Sequence, residues 1–179
     1  MIETKRLYIR AIESKDAIDL FSYRSVKETN KYQGCIPETL EETLAFIQKN
    51  PPEINIPETW FQLGIVEKKS GKLIGDIGLH FMDKENKQLE IGCTIDKHYQ
   101  NQKFAIEALE AIIQYFFIQS AKQKIVASID PRNTASIRLV ERLGFRKEAY
   151  FEKSIFLRGE WMDDVIYSIL AVDWQVKKQ

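Results

Sequence analysis

The alternation of apolar and polar residues in the first part of the chain predicts one strand followed by two helices. Residues 6–12 alternate polar and apolar side chains, which is typical of a half-buried strand. Apolar residues at helical spacing then predict a short helix capped by Ser14 and a second helix that begins near Thr39. The second helix ends at residues 50–52, Asn-Pro-Pro, because proline cannot continue a helix.

Three further strands follow one another along the chain. They cover Trp60–Glu67, Leu73–Phe81 and residues 89–95, and polar turns at residues 69–72 and 83–86 separate them. Because such short turns join strands that run in opposite directions, the pattern predicts an antiparallel meander.

Beyond residue 103 helical spacing and strand-like runs alternate. The pattern predicts a helix at residues 104–121, a strand at Lys124–Ile129, a helix at Thr134–Leu143 that ends at Gly144, and strands at residues 145–156 and 162–172. This order predicts an α/β (α+β) fold, with a mixed, mostly antiparallel central sheet and helices on both faces. The 179 residues fit one domain, which we expect to span residues 1–179.

Composition and charge argue against several classes of function. Lys plus Arg equals Asp plus Glu at 26 each, and zero net charge argues against bulk binding of nucleic acid or an anionic membrane. The two cysteines and two histidines have no metal-ligand spacing, so no metal is expected. The N-terminal segment lacks the apolar core of a signal peptide, and no apolar run approaches about 18 residues. We therefore expect a soluble cytoplasmic protein with no nucleic-acid or membrane partner.

The first stretch that carries chemistry joins a strand to a helix through a polar loop. Residues 90–95, Glu-Ile-Gly-Cys-Thr-Ile, form the strand, and residues 99–103, Tyr-Gln-Asn-Gln-Lys, lead into a helix that begins at Phe104. Backbone N–H groups at the positive end of a helix suit an anion, for example a pyrophosphate. Every strand-to-helix connection in an α/β protein shares this geometry, so a purely structural interpretation stays open.

The second stretch, residues 133–145, opens a helix with Asn133, where an N-cap is expected in any case. Together the two stretches resemble the GNAT acetyltransferase superfamily, and most of all the branch that acetylates ribosomal-protein N-termini, the RimJ/RimL type. Residues 4–10 and 161–168 are similar to that branch too, so the resemblance covers essentially the whole chain. It implies a GNAT fold whose sheet splays between the fourth and fifth predicted strands.

The resemblance implies that acetyl-CoA is the cosubstrate and that its pyrophosphate lies at the polar loop. Asn101 and Lys103 replace two glycines of the family's loop. Asn tolerates left-handed backbone angles, whereas a Cβ at Lys103 hinders the close approach of a phosphate that its ammonium attracts. Two outcomes are open: CoA binds with help from Lys103, or the chain is a CoA-binding or regulatory protein with little or no turnover. The intact second stretch favours binding.

The resemblance further implies direct attack of a neutral amine on the thioester, without an acyl-enzyme. The arm of CoA is expected to pair with the strand at residues 90–95, whose N–H groups polarise the thioester carbonyl. Cys93 is not expected to be a nucleophile, because no histidine is placed to activate it. The residues expected to hold acetyl-CoA are Cys93, Thr94, Ile95, Gln100, Asn101, Gln102, Lys103, Phe104, Ala105, Asn133 and Ser136.

Two residues are candidates for the proton transfers. Glu90 matches the general-base Glu of several superfamily members, and the alternative is a solvated strand residue. Many members carry a tyrosine where this chain has Val140, but the ribosomal-protein branch has a serine at the position of Ser136. Ser136 is therefore the candidate hydrogen-bond donor to the departing thiolate, and the alternative is an ordinary serine in a first helical turn.

The acceptor is expected to be a primary amine, either a ribosomal-protein N-terminus or a small-molecule amine. The acceptor site is expected to be lined by the helices between residues 14 and 50 and by the loop at residues 158–161. Aromatic residues at such spacing are more often core, but four are candidates for the lining: Tyr32, Trp60, Phe81 and Trp161. The chain is expected to act as a monomer or a homodimer.

Overall fold

The computed structural model describes residues 1–177, which form one eight-stranded sheet and five α-helices. The strands are β1 (Ile2–Glu3), β2 (Leu7–Ala11), β3 (Trp60–Glu67), β4 (Leu73–Phe81), β5 (Gln88–Ile95), β6 (Lys124–Ile129), β7 (Arg146–Leu157) and β8 (Glu160–Leu170). The helices are α1 (Ala17–Arg24), α2 (Leu40–Gln48), α3 (Phe104–Ile118), α4 (Thr134–Leu143) and α5 (Ala171–Lys177). Across the sheet the strands lie in the order β1-β2-β3-β4-β5-β6-β8-β7.

The sheet splays between β5 and β6. All neighbouring strands of this sheet are antiparallel except these two, which are parallel and form only three residue pairs, the last between Glu90 and Val126. Beyond that pair they separate, whereas β5 stays paired with β4 as far as Ile95. The predicted mixed sheet and its splay are therefore confirmed. The short strand β1, which was not predicted, makes the splayed strands the fifth and sixth of the sheet.

The apolar residues pack into two clusters on opposite faces of the sheet. The larger cluster includes Phe81 of β4 and Phe116 of α3, and both side chains are fully buried. The smaller cluster includes Leu20 of α1. Within β4, Leu73 belongs to the smaller cluster and its neighbour Ile74 to the larger, because successive side chains of a strand point to opposite faces. Helices therefore cover both faces, as predicted.

The predicted bounds of β3, β4, β6 and α4 are confirmed. Helix α4 shows why such bounds can be predicted from a sequence. Asn133 caps its first turn, and Gly144 ends it with a φ of 94°. Helix α2 likewise begins after Thr39, whose side-chain oxygen accepts the Glu42 N–H at 3.1 Å.

The predicted start of the first helix is wrong. Ser14 is not a helix cap but the first residue of a 3-10 turn, Ser14–Asp16, and α1 begins only at Ala17. Asp16 holds that turn, because its Oδ2 accepts the Glu13 N–H at 2.8 Å and the Arg10 guanidinium at 2.7 Å. The ion pair reaches across from β2 and could not be foreseen from local spacing.

Two predicted ends are also wrong. Helix α3 ends at Ile118, short of residue 121, and the chain reverses through Ala121, whose φ is 50°. Strand β8 ends at Leu170, short of residue 172, and continues as α5. Helix α5 forms there because it buries Trp174, which is 2% exposed, in the larger cluster.

Candidate active site

The separation of β5 from β6 leaves a narrow cavity of about 100 Å³ that α4 closes on one side; we call it the notch. Cys93 lines the notch from β5, and Asn133 and Ser136 line it from the start of α4. The structure thus brings together three residues that the sequence predicted for one site, although they come from distant parts of the chain.

The backbone of β5 presents alternate N–H groups toward the notch. Asp96 N–H donates to Ile74 C=O at 2.9 Å, so the N–H groups two and four residues before it, those of Thr94 and Gly92, also point toward β4. Because these groups alternate along a strand, the N–H groups of Cys93 and Ile95 point away from β4, toward the side where β6 lies. Thr94, which was predicted with them, directs its N–H toward β4 instead.

The first turn of α4 holds Asn133 and Ser136 in a fixed relation. Asn133 Oδ1 accepts the Ser136 N–H at 3.2 Å, and Asn133 N–H donates to Asp130 C=O at 2.8 Å. The predicted capping role of Asn133 is therefore confirmed. Within residues 1–177 no side chain or backbone group forms a hydrogen bond with Ser136 Oγ, so this hydroxyl is available at the wall of the notch.

The polar loop, residues 100–103, contains no glycine but adopts backbone angles that favour glycine at two positions. Asn101 and Lys103 have φ values of 60° and 65°, both in the left-handed region. For a residue with a Cβ this conformation costs about 1–2 kcal/mol, less for Asn than for Lys. The loop therefore turns through two left-handed residues, and the second of them, Lys103, lies directly before α3.

The other predicted residues of this region fix the loop to its surroundings. Gln100 Nε2 donates to Ile95 C=O at 2.9 Å, which joins the loop to the end of β5. Gln102 is exposed at the loop's surface. Phe104 is buried in the larger apolar cluster and Ala105 packs against it, so these two side chains anchor the start of α3.

A contact from the N-terminal segment supports the loop from behind. Arg6 Nε donates to Glu107 Oε2 at 2.6 Å, and Arg6 Nη1 donates to Gln102 C=O at 3.1 Å. The Arg6 guanidinium lies 4.2 Å from the centroid of the Phe104 ring. Burial alone would raise the pKa of Glu107, but its hydrogen bonds from Thr4 and Arg6 hold that pKa below its usual value. No local sequence pattern indicates that Glu107 pairs with Arg6, because the two residues meet only in the folded chain.

A larger cavity of about 530 Å³ adjoins the notch; we call it the inner cavity. Four residues at the splay line both spaces, namely Ile91, Gly92, Ser128 and Asp130, and Tyr32 also contacts both. The two spaces therefore meet at the point where β5 and β6 separate.

The walls of the inner cavity agree in part with the sequence prediction. Residues 32–35, between α1 and α2, form one wall, Trp60 lines another, and the hairpin of β7 and β8 closes a third side. Phe81 is fully buried core, and Trp161 is 61% exposed and packs on Phe156 at 5.3 Å between ring centroids. Neither of these two aromatic residues lines the cavity.

Glu90 faces the inner cavity and has a fixed partner. Its Oε2 lies 3.1 Å from Nδ1 of His80, which is its cross-strand neighbour on β4. The His80 ring stacks on Trp60, with centroids 4.5 Å apart and planes 5° apart. The stack fixes the imidazole, and the imidazole in turn fixes the carboxylate. Sequence reasoning missed His80, because cross-strand register decides this pairing.

A buried ion pair lies beside the notch. Asp76 of β4 is fully buried and accepts from Arg24 Nε at 3.0 Å and from Tyr23 Oη at 2.9 Å. Burial, followed by the negative charge of Asp76, raises the pKa of Cys93 far above its usual value. A thiol that stays protonated is a poor nucleophile, which agrees with the expectation for Cys93. No sequence pattern pointed to Asp76 and Arg24.

Two further features are absent from residues 1–177. No group of three or more His, Cys, Asp or Glu side chains there is arranged to hold a metal ion. None of the helices in the same range has the length and apolar character needed to cross a bilayer.

A family model described as an acetyltransferase (GNAT) domain matches residues 6–146, which is most of the chain. The chain belongs to this family. The acetyltransferase class and acetyl-CoA as the donor are thereby confirmed at the level of the family.

The acetyltransferase has relatives that match over almost its whole length. YnaD of Bacillus subtilis strain 168, by name an uncharacterized N-acetyltransferase, is 34% identical over 97% of this chain and 98% of its own. The crystal structure of a GNAT-family acetyltransferase from Bacillus anthracis has a TM-score of 0.86 and 32% identity, covering 96% of this chain and 98% of that one. The ribosomal protein uS5-alanine N-acetyltransferase of Escherichia coli strain K12 is 25% identical over 97% of this chain and 92% of its own. The predicted RimJ/RimL-type branch agrees with these matches.

Proposed function

We propose that this acetyltransferase holds the thioester of acetyl-CoA in the notch and transfers the acetyl group to a primary amine that arrives through the inner cavity. One observation carries the proposal: Gly92 and Ser128 line both spaces, so a group in one can meet a group in the other at the splay. Residues 1–179 are proposed to act as a single domain.

The donor site has two parts in this proposal. The pantetheine arm pairs with β5 as an added strand, through the outward N–H groups of Cys93 and Ile95. The pyrophosphate lies at the N-terminus of α3, where the polar loop turns through Asn101 and Lys103. The left-handed angles of both residues support this assignment, because they keep the loop conformation that glycines would adopt.

The chemistry requires a neutral amine and a stabilised oxyanion. Glu90 takes the proton from the incoming ammonium, directly or through a water, while His80 holds the carboxylate in place. The amine nitrogen forms a bond to the thioester carbon, and N–H groups of β5 stabilise the negative oxygen that results. The C–S bond then breaks as the nitrogen gives up its remaining extra proton, which passes to the departing sulfur, so the products are the amide and the CoA thiol; Ser136 Oγ donates a hydrogen bond to the sulfur as it leaves. An α-amine, which titrates near 8, needs less help from Glu90 than a lysine-like amine near 10.4.

The acceptor is proposed to be either a protein N-terminus or a small-molecule amine. The uS5-alanine N-acetyltransferase relative supports the first class by its name, at 25% identity. A cytoplasmic location and a monomeric or homodimeric state stay predictions from the sequence.

A second candidate function is that of a CoA-binding or regulatory protein with little or no turnover. The replacement of both loop glycines by Asn101 and Lys103 is the observation that favours it. Two measurements separate the candidates: calorimetry with acetyl-CoA, and release of the CoA thiol in the presence of an amine panel and ribosomal-protein N-terminal peptides. The proposed function predicts binding and amine-dependent thiol release. Absence of binding at millimolar acetyl-CoA contradicts the proposed function, and binding without release on the whole panel supports the second candidate.

A further inference from the structure

A third cavity, of about 630 Å³, extends the inner cavity outward; we call it the outer cavity. Tyr32, Leu157 and Met162 line both cavities, so the two are continuous along the hairpin of β7 and β8. An acceptor that reaches beyond the inner cavity therefore enters the outer one.

The inner cavity is acidic on balance. Glu90, Asp130 and Asp163 line it, and its cations are Arg24 and Lys49. Asp130 forms an ion pair with Arg132 at the border of the cavity, so Glu90 and Asp163 supply its net negative charge. The charge of Arg24 is already compensated by buried Asp76, with which it forms an ion pair. A cationic amine is thus attracted to this cavity, next to the base it needs.

The outer cavity has the opposite charge. Four cationic side chains line it, Lys27, Lys31, Arg132 and Arg158, against the carboxylates of Glu38 and Glu160. Local pairs compensate two of the cations, since Lys27 lies 3.0 Å from Glu38, and Arg132 lies 2.6 Å from Asp130 at the border of the inner cavity. Lys31 and Arg158 form no ion pair with any residue of the range 1–177, and these two cations outweigh the remaining carboxylate, that of Glu160, so the cavity is positive.

The position of Arg158 is fixed by the turn that carries it. Arg158 and Gly159 have φ values of 51° and 84°, the double left-handed conformation of a tight two-residue hairpin turn. The Arg158 guanidinium donates to Lys31 C=O, and Lys31 Nζ lies 5.1 Å from the centroid of the Tyr32 ring. The hairpin thereby bridges to the segment between α1 and α2 and partly roofs the space between them.

We propose that the acceptor is a small amine that carries an anionic group, a carboxylate or a phosphate, at the end away from the reacting nitrogen. The amine lies beside Glu90 in the inner cavity, and the anion lies near Lys31 and Arg158 in the outer one. A polyamine of the same length is disfavoured, because its second cation meets the same two residues. A long polypeptide is disfavoured because its chain can pass through the outer cavity only if the hydrogen bond from Arg158 to Lys31 C=O breaks. This inference rests on the proposed function.

The test compares three matched series of acceptors with acetyl-CoA as donor: ω-amino acids, alkylamines and diamines of equal chain length, together with phosphoethanolamine against ethanolamine. The expected order of kcat/KM is anionic acceptors above neutral acceptors above dicationic acceptors. The first and the last class should differ by about tenfold or more, which corresponds to about 1.4 kcal/mol. Diamines that equal or exceed the amino acids overturn the inference. An acidic N-terminal peptide that is acetylated faster than every small amine also overturns it.

Charge variants locate the selectivity. Lys31→Glu and Arg158→Glu are expected to raise the KM for the anionic acceptors, so that diamines then have the higher kcat/KM. The control is Lys84→Glu, a charge change at an exposed position in the turn between β4 and β5, which should keep the wild-type order of kcat/KM. Lys31→Gln and Arg158→Gln give the same direction without introducing a negative charge. An unchanged order in all four variants overturns the inference and leaves the proposed function standing. If no amine is acetylated although acetyl-CoA binds, the proposed function fails and the inference fails with it.

Discussion

Glu107 and Arg6 lie 101 residues apart in the chain, yet their side chains meet at 2.6 Å between Oε2 and Nε. The same carboxylate accepts the Arg6 N–H at 2.8 Å and the Thr4 hydroxyl at 2.6 Å. Arg6 in turn holds the carbonyl of Gln102 in the polar loop. One carboxylate therefore connects the N-terminal segment, the first turn of α3 and the loop proposed to hold the pyrophosphate.

Glu107→Gln is expected to lower the free energy of unfolding by about 1 kcal/mol near pH 7, a value discounted for the partial exposure of Arg6. The pKa of Glu107 is lowered in the folded state, so its stabilising effect is present above the unfolded pKa and is lost as the pH falls through the folded one. Urea unfolding of both proteins from about pH 7 to about pH 2 should therefore show their difference shrinking in acid. Glu110→Gln, at an exposed position of α3, is the control and should be near neutral. A difference that is constant with pH contradicts this role of Glu107.

Lys103→Gly is expected to stabilise the fold by up to about 1 kcal/mol, because glycine adopts a φ of 65° without strain. The same change should preserve or tighten the affinity for CoA, since it removes a Cβ from the proposed phosphate site. Thermal unfolding and calorimetry with CoA measure the two effects separately.

Lys103→Ala is the matched control, since it removes the ammonium but keeps the Cβ and the strain. It should leave stability near that of the wild type. If both variants lose CoA affinity by tenfold or more, the ammonium contacts phosphate directly, and the expectation that Lys103→Gly preserves CoA affinity is contradicted.

Asn133→Asp separates capping from ligand binding. Aspartate caps a helix as well as asparagine does, so stability should be kept, whereas Asn133→Ala should lose about 1 kcal/mol. If the Asn133 amide also donates to the pantetheine arm, both variants lose CoA affinity, by about tenfold. Denaturant unfolding and calorimetry on the same preparations decide the point. Wild-type CoA affinity in Asn133→Asp limits this residue to its capping role.

Glu90→Gln is expected to lower kcat by about a hundredfold or more and to remove the rise of the rate with pH, because a neutral amide cannot accept the proton of the ammonium. His80→Asn should lower kcat less and leave the KM for acetyl-CoA unchanged, since His80 acts through Glu90. Steady-state kinetics across a pH series measures both. A pH profile of Glu90→Gln that matches the wild type excludes Glu90 as the base.

Much of the fold was accessible from the sequence because its signals are local. Strand-like runs bounded by polar turns located β3 and β4, and a cap at Asn133 with a terminator at Gly144 located α4. Helix α5 was missed because apolar residues continue past Leu170, and only burial of Trp174 against the sheet makes the segment helical.

The residues of the site were likewise predictable only where the signal is local. Glu90, Cys93, Asn133 and Ser136 belong to short stretches, so they could be named before the structure was known, and the structure places all of them at the notch or the inner cavity. The supporting pairs could not be named, because they join residues that only the folded sheet brings together. His80 meets Glu90 through strand register, Arg24 meets Asp76 through the packing of α1 on β4, and Arg6 meets Glu107 across the whole first half of the chain.

Direct transfer of an acetyl group from acetyl-CoA in the notch to an amine in the inner cavity can be tested in one quenched reaction. The released CoA thiol, the acetylated amine and the intact mass of the protein are determined in the same sample. Direct transfer predicts that thiol and N-acetylated amine form in equal amounts, only when an amine is present, while the mass of the protein stays unchanged. Thiol release without an amine, together with an acetyl group on Cys93, contradicts direct transfer.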